Sequence, residues 1–262
     1  ILEGWRPGVA KRLKADYPTL SQDNHMLVYC SISGFGQDGP WHNRPAHDIN
    51  YLALSGYLGI QTEAEGRPSI PPILLSDLAS GLYATIMVLA ALNDRVNSEA
   101  GTYIDLSMTE AILALLSPEI ETLTKQTDAP LEPNITSIPH YGIFECQDGK
   151  WLTLGIVHED HFWDKFCTTA NLSDLVGMTF ETRMAKRHEI QQRLESVFKT
   201  FPANKWEIKL LDADVPGATV VEPSQIHNSI QFNSRGIFAD SETGKLVGQP
   251  ARISGKRPMS TN

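Results

Sequence analysis

The stretch that most constrains the fold is residues 78–92, LASGLYATIMVLAAL, whose apolar residues cover almost every side of a helix. A helix that is apolar all round is usually enclosed by protein, so we expect a buried helix here. Asp77 stands directly before this run, in Ser76-Asp77-Leu78. Free backbone amides and the helix dipole favour negative charge in a first turn. The sequence therefore predicts a core helix with an ionised carboxylate at its N-terminal end.

Strand and helix signals alternate around this helix. Residues 26–32 (MLVYCSI) and 103–106 are short runs rich in strand-forming residues. Residues 94–101, which connect the core helix to the second of these runs, are charged and indicate a turn. Ser107 followed by Glu110 forms a capping box that predicts a helix over residues 109–116. This alternation indicates an α/β sheet.

A second helix is predicted over residues 47–57, with Ile49, Leu52 and Leu54 facing inward. It begins with His47, thirty positions before Asp77. An imidazole and a carboxylate are suited to moving a proton between them and a substrate. From the residues alone a simpler interpretation stays open, since Ser-Asp before an apolar run is usually only a helix start and His beside Asp is common on surfaces.

Composition narrows the classes of function. The chain has 262 residues, 41% of them hydrophobic and 20% charged, which is typical of a globular protein. Its formal net charge of -9 argues against a nucleic-acid surface, because phosphate binding needs clustered Lys and Arg. Cys30, Cys146 and Cys167 are widely spaced without a CxxC motif, which predicts reduced thiols. No apolar run approaches the length expected of a membrane span, and no signal peptide is found.

A domain boundary is predicted where residues 122–138 turn polar and proline-rich. After it, residues 141–155 indicate a β-hairpin around the turn Gln147-Asp148-Gly149. Amphipathic helices are predicted next, followed by short extended segments. The helices are residues 158–167, 187–201 and 206–211, and the extended segments are residues 218–221, 236–239 and 245–247.

Two further motifs were weighed as catalytic features. His158, Glu159 and His161 lie in the sequence HEDH, but the zincin pattern HExxH is absent and no distant third ligand supports zinc. A solvated helix start is the favoured interpretation, so no metal site is predicted. Ser33 and Ser107 are not flanked by the GxSxG pattern of a nucleophile elbow.

Three segments carry a resemblance to a known family: SISGFGQDGPWHNRPAHDINYLALSG (residues 31–56), SDLASGLYATIMVLAALNDRV (76–96) and AGTYIDLSMTEA (100–111). The chain resembles the family III CoA-transferases from ILEGWRPGVAKRL at its start to ARISGKRP near its end. Within the family it is most similar to the 2-methylacyl-CoA racemase branch. An Asp at the position of Asp77 is general to the family, whereas the His at the position of His47 points to the racemases.

The resemblance implies roles for particular residues. His47 and Asp77 are expected to be catalytic, with Glu159 as a residue that supports His47. The other expected contacts are to the acyl-CoA, whose charge requires a local basic patch on an acidic protein. They comprise Arg6 and Arg12 at the CoA phosphates, the loop glycines Gly34 and Gly36 beside the acyl-CoA, and Asp48 and Tyr51 in substrate or CoA binding.

The resemblance also implies an architecture. We expect a Rossmann-like large domain (residues 1–121 and 226–262), a linker (122–137) and a smaller α+β domain (138–225), assembled as an interlocked homodimer. Because the chain does not begin with Met and family members carry an earlier segment, we expect a fragment whose large domain is incomplete at the N-terminus. No cofactor beyond the CoA of the substrate is expected, and the expected location is the cytoplasm or an organelle matrix.

Three functions remain open at this point. In a racemase, His47 and Asp77 exchange the proton next to the thioester, and the enolate oxygen rests on backbone amides at the start of the Asp77 helix. In a CoA-transferase, Asp77 instead attacks the acyl carbonyl to form a mixed anhydride. A non-catalytic acyl-CoA-binding or scaffold fragment is the third alternative.

Overall fold

A computed structural model describes residues 1–60, 67–124, 135–242 and 244–258. The chain divides into two compact units, residues 1–131 and 132–262. Each is a mixture of helices and strands, as the α/β class predicts. The two units are described separately below.

The first unit alternates strands and helices along the chain. Its elements are, in order, β1 (Leu2–Glu3), α1 (Val9–Arg12), α2 (Tyr17–Leu20), β2 (Val28–Ser33), α3 (Asp48–Leu54), α4 (Tyr57–Ile60), α5 (Leu75–Ser98), β3 (Thr102–Ser107), α6 (Met108–Leu115) and α7 (Ser117–Thr124). The strands predicted at residues 26–32 and 103–106 are confirmed, and the side chain of Ser107 accepts a hydrogen bond from the amide of Glu110 as the capping motif predicts.

The three strands form one parallel sheet in the order β1-β2-β3. Their carboxyl ends therefore lie along one edge, where Glu3 pairs with Ser31 and Ser33 pairs with Ser107. Side chains alternate across β2, so Val28 and Cys30 face one side of the sheet and Tyr29 and Ser31 the other. Helix α5 packs on the apolar side and leaves the carboxyl edge for functional groups.

Helix α5 is longer and less enclosed than predicted. It runs from Leu75 to Ser98, and Glu99 ends it with a left-handed φ of 51°. The turn predicted at residues 94–101 is therefore wrong for residues 94–98, which are the end of α5. Small residues face the sheet and α6, which allows close approach, whereas larger side chains such as Leu82 (67% exposed) face outward. The prediction of burial on all sides is therefore wrong.

The same helix bears on the membrane prediction. By length and composition Leu75–Ser98 could cross a membrane, contrary to the expectation that no segment approaches that length. One such helix is weak evidence, since core helices of α/β domains pass the same test. Its contacts with β2, β3, α3 and α6 are those of a core helix.

The helix predicted over residues 47–57 is interrupted. Helix α3 ends at Leu54 and α4 begins at Tyr57, with Gly56 between them at a φ of 89°. Leu52 is fully buried against α5 and α6 as predicted. Ile49 is 40% exposed, so its predicted inward orientation is wrong.

The second unit contains an antiparallel sheet packed against helices. Its elements are β4 (Tyr141–Glu145), β5 (Trp151–Gly155), α8 (Asp160–Thr169), α9 (Phe180–Ala185), α10 (Arg187–Phe198), α11 (Ala203–Asp212), β6 (Gly217–Thr219), α12 (Ile230–Ser234), β7 (Phe238–Ser241) and β8 (Gly244–Val247), with 3₁₀ turns at Ile135–Ser137, Ser173–Leu175 and Pro223–Asn228. The predicted hairpin is confirmed as β4–β5, with Gly149 in a left-handed turn conformation. Cys146 and Cys167 are buried free thiols in this core.

The predicted domain boundaries stay a prediction. Part of the predicted linker, residues 125–134, lies outside the described residues. Residues 226–262, assigned from the sequence to the large domain, cluster with the second unit.

Candidate active site

A cleft of about 400 Å³ opens at the carboxyl edge of the parallel sheet. Each strand supplies residues where it ends, because parallel strands bring their carboxyl ends to the same edge. The residues that line the cleft are Gly4, Trp5, Arg6 and Pro7 after β1, Ile32, Ser33 and Gly34 at the end of β2, Met108 after β3, and His42, Arg44, Pro45, Ala46, His47, Asn50 and Tyr51 around the start of α3.

The cleft is a basic patch on an acidic protein. Arg6, Arg44, His42 and His47 line it, and no Asp or Glu is found among its described lining residues. The guanidinium of Arg44 lies over the ring of Trp41, 5.8 Å from its centroid. Such a cationic cleft suits a polyanionic ligand better than the rest of the surface does.

Gly34 and Tyr51 form the floor of the cleft. A Cβ on Gly34 would lie 2.6 Å from Cε1 of Tyr51, so any larger residue here requires the ring of Tyr51 to shift. The hydroxyl of Tyr51 donates a hydrogen bond to the carbonyl of Ala46. The buried ring of Tyr51 therefore ties α3 to the loop after β2.

Asp48 connects the two predicted catalytic residues. Its Oδ2 accepts hydrogen bonds from the amide and the hydroxyl of Ser76, each at 2.7 Å, and a longer one of 3.4 Å from the amide of Asp77. Asp48 is 8% exposed and Ser76 is fully buried. The Asp48 carboxylate thus caps α5 from α3, although the sequence analysis placed it among ligand-binding residues.

Asp77 lies in the first turn of α5, as predicted. Partial desolvation raises the pKa of its carboxyl, the negative charge of Asp48 raises it further, and His47 lowers it. The helix dipole favours the ionised form of Asp77, whereas burial and Asp48 favour the protonated form, and the predicted ionised state stays a prediction. The Asp48 carboxylate that caps the helix adds a like charge beside Asp77, and a like charge makes a carboxyl hold its proton more readily.

The predicted position of an enolate oxygen at the start of α5 stays a prediction, but three of the backbone amides there already have partners within the protein. The amides of Ser76 and Asp77 already bond to Asp48, and the amide of Leu78 donates to the carbonyl of Leu74. These backbone groups of α5 are occupied, so they are not free to hold an oxyanion.

His47 is the residue that precedes α3. Its extended backbone (φ -131°) places it at the N-cap, and its amide donates to the side-chain oxygen of Asn50. The imidazole is exposed and lines the cleft. No hydrogen bond or ion pair joins His47 to Asp77 in the described part of the chain, and Asp77 is not among the described residues that line the cleft.

The remaining predicted residues lie elsewhere. Arg12 ends α1, is exposed and is not among the cleft's lining residues. Gly36, with a φ of 84°, turns the loop beside Asp105 and Ser107. Glu159 belongs to the second unit, where it accepts a hydrogen bond from the amide of Val157, which lowers its pKa. The binding role of Arg12 and the supporting role of Glu159 stay predictions.

The sequence analysis missed several residues that line the cleft, among them Ser33, His42, Arg44 and Met108. A usable signal existed, because residues that follow buried strands of an α/β sheet are placed at its carboxyl edge. Across the described residues, no group of three or more His, Cys, Asp or Glu side chains is arranged to hold a metal ion.

Comparison with known proteins decides the family. Residues 1–261 match CoA-transferase family III. The chain belongs to this family. Family III proteins use CoA thioesters as substrates, which fits the basic cleft.

Relatives of this family III chain are named for two reactions. It is 29% identical to an acetyl-CoA:oxalate CoA-transferase of Acetobacter aceti, over 97% of the chain and 67% of that protein. It is equally 29% identical to human alpha-methylacyl-CoA racemase, again over 97% of the chain and 67% of the relative. The chain thus spans about two thirds of both proteins, and neither reaction is singled out.

Solved structures agree on the fold. A crystal structure of a CaiB/BaiF family protein from Brucella suis aligns with a TM-score of 0.79 at 23% identity, covering 98% of this chain and 69% of that one. The mixed α/β fold of family III is therefore confirmed.

Proposed function

We propose that the protein is a 2-methylacyl-CoA racemase in which His47 and Asp77 exchange the proton on the carbon next to the thioester. The observation that carries the proposal is geometric: His47 directly precedes α3, Asp77 lies in the first turn of α5, and the hydrogen bonds from Ser76 to Asp48 join the two helices beside both residues. Two bases that serve opposite faces of one carbon must be close yet leave room for that carbon.

The chemistry needs no net oxidation. One base takes the α-proton, and the electrons of the C–H bond move into the thioester as an enolate. The other base then delivers a proton to the opposite face, which inverts the centre. A carboxylate and an imidazole can each accept or return a proton, so either residue can serve as the acid or the base.

Binding of the CoA portion is assigned to the basic cleft. Arg6 lines it, and Arg12 lies on the same N-terminal segment. Both would make charge-assisted contacts to phosphates. Gly34, Gly36 and Tyr51 shape the loop against which the acyl group would lie.

A CoA-transferase is the second candidate, favoured by the equal identity to the Acetobacter aceti enzyme. Here the Asp77 carboxylate attacks the acyl carbonyl carbon, CoA leaves as a thiolate, and a mixed anhydride forms. This reaction needs an acceptor acid and makes no use of the imidazole of His47.

The test is incubation with one stereoisomer of a 2-methylacyl-CoA in heavy water, without any acceptor acid. A racemase introduces deuterium at the α-carbon, measured by mass spectrometry, and inverts the centre. His47→Ala should lower this exchange by about 10²- to 10⁴-fold. His42→Ala is the matched control, because His42 lines the same cleft but bonds to the carbonyl of Gly39.

The outcomes separate the two functions. CoA transfer to an acid that survives His47→Ala but not Asp77→Ala, with no deuterium uptake by the wild type, would identify the transferase instead. CoA binding without either reaction would leave only an acyl-CoA-binding protein.

We also propose that the protein acts as an interlocked homodimer in the cytoplasm or an organelle matrix. The family resemblance supports the assembly, and three free, buried cysteines are compatible with a reducing compartment. Light scattering of the purified protein would test the assembly, and a monomeric mass would contradict it.

A further inference from the structure

The side chain of Ser33 is buried at the end of β2, and no partner for it is found among the described residues. Only 6% of the residue is exposed, and in the described part of the chain no group hydrogen-bonds to its Oγ. The nearby carbonyl of Gly34 is already bonded to both the amide and the hydroxyl of Thr109. A buried hydroxyl without a partner is unfavourable in the free protein, so its presence here calls for a reason.

Neighbouring serines in the same sheet are satisfied. Ser31, two residues earlier on β2, bonds to Glu3 and to Gln37. Ser107 is the register partner of Ser33 on β3, and its hydroxyl accepts from the amide of Glu110. Of these three buried hydroxyls, the one without a partner is the one that lines the cleft.

The surroundings indicate what this hydroxyl would contact. Arg6, Arg44 and His47 share the cleft, so its potential favours electronegative ligand atoms. A serine hydroxyl can donate its proton to such an atom. We propose that Ser33 donates a hydrogen bond to a carbonyl oxygen of the bound CoA thioester. This inference rests on the proposed function in that the ligand is an acyl-CoA.

The two possible sources of that oxygen are the acyl thioester and the amides of the pantetheine arm. Free CoA carries the amides but lacks the acyl carbonyl. Titration with a 2-methylacyl-CoA and with free CoA therefore distinguishes them.

The experiment compares Ser33→Ala with Ser107→Ala by thermal unfolding and by calorimetric titration. Ser33→Ala should leave the melting temperature unchanged or raised, since it removes an unpaired group. It should nevertheless weaken 2-methylacyl-CoA binding by about five- to tenfold, the usual effect of one neutral hydrogen bond. Ser107→Ala removes a helix cap and should lower the melting temperature by about 2–4 °C without a specific loss of affinity.

The outcomes are decisive in each arm. Loss of affinity for 2-methylacyl-CoA alone assigns the oxygen to the thioester, and equal loss for free CoA assigns it to the pantetheine arm. Unchanged affinity for both ligands, with wild-type binding intact, would overturn the inference but not the proposed function. If the wild type binds neither ligand, the proposed function itself fails. A lowered melting temperature of Ser33→Ala would show that the hydroxyl has a partner within the protein.

Discussion

Asp48 and Ser76 are joined by two hydrogen bonds of 2.7 Å, one from the amide and one from the hydroxyl of Ser76 to the same carboxylate oxygen. Asp48 follows His47 in the chain, and Ser76 precedes Asp77. The two candidate bases therefore each lie one residue from this buried junction between α3 and α5. The position of His47 relative to Asp77 therefore depends on the hydrogen bonds between Asp48 and Ser76, which hold the two helices together.

The first prediction concerns the charge of Asp48. Asp48→Asn keeps an oxygen that can accept from Ser76 but removes the negative charge that raises the pKa of Asp77. The charges of Asp77 and Tyr51 also interact, and His47 lowers the pKa of Asp77. Arg6 in turn interacts with Tyr51, and none of these groups changes in this variant. The pKa of Asp77 should fall, so the acidic limb of the pH–rate profile should move to lower pH. Carbon-13 NMR of the Asp77 carboxyl measures the same shift without any assay.

A matched control is Asp105→Asn, since Asp105 accepts a hydrogen bond from Gln37 but is not among the groups that shift Asp77. Asp48→Ala should in addition lose about 1–2 kcal/mol of unfolding free energy, because buried donors of Ser76 lose their acceptor. An acidic limb that stays in place in Asp48→Asn would reduce Asp48 to a purely structural cap.

How far the sequence predicts this arrangement depends on the distance between interacting residues. The strands β2 and β3, the Ser107 cap and the β4–β5 hairpin follow from local patterns, and they are confirmed. The placement of Asp77 in a first turn is local in the same sense. Such features depend on neighbours within a few positions, which the sequence displays directly.

The features that the sequence does not predict depend on residues that are distant in the chain. Asp48 caps α5 across 28 positions, and no local pattern indicates that its carboxylate would occupy the amides expected to hold an enolate. The pKa of Asp77 depends on the same contact. For α5, apolar composition predicts enclosure, but only the structure shows which side chains the sheet covers.

The second prediction tests the floor of the cleft. Gly34→Ala would place a Cβ 2.6 Å from the ring of Tyr51, which is buried and bonded to Ala46, so the ring cannot move freely. Overpacking of this kind costs about 1–3 kcal/mol. We expect a lower unfolding free energy in urea and weaker acyl-CoA binding.

Gly59→Ala is the control for this change. Gly59 lies in α4 with open space around its Cα, so alanine should be tolerated or slightly stabilising there. Normal stability of Gly34→Ala would show that Tyr51 can yield, and the close contact would then carry no constraint.

The third prediction compares two Arg–Asp pairs of the second unit. Arg183 is fully buried and donates to Asp160 at 2.8 Å, whereas Arg193 and Asp174 form an exposed bidentate pair at 3.0 Å. Asp160→Asn leaves the buried guanidinium of Arg183 without its anion and should cost about 1–3 kcal/mol of unfolding free energy, since the Asp160 carboxylate itself is 57% exposed. Asp174→Asn should have little effect, because solvent replaces an exposed partner.

Chemical denaturation of both variants measures the contrast, since the two substituted aspartates are similarly exposed and only the arginines that they pair with differ in burial. Equal losses would mean that the carbonyl of Met178, which also accepts from Arg183, is sufficient to hold the buried charge.

The last prediction is a pH dependence that arises from His140. The imidazole is fully buried, its Nε2 lies 2.9 Å from the carbonyl of Val157, and its Nδ1 has no partner in the described residues. The pKa of His140 is lowered from 6.5 to about 4, chiefly by burial and also by the charges of Arg183 and His158, while the hydrogen bond to Val157 and the charge of Glu159 oppose the change.

The sign follows from where the proton binds. Above pH 6.5 the imidazole is neutral whether the protein is folded or unfolded, so the full stability is present. As the pH falls from 6.5 towards 4, the unfolded chain takes up a proton that the folded one excludes, and stability is lost. The loss amounts to about 3 kcal/mol, and it levels off below the folded pKa. His140→Gln cannot titrate, so the difference in unfolding free energy between wild type and variant should shrink across this interval, whereas other titrating groups cancel in the comparison. Urea denaturation at half-unit pH steps measures it, and a difference that is independent of pH would mean that His140 takes up its proton as readily in the folded protein as in the unfolded chain.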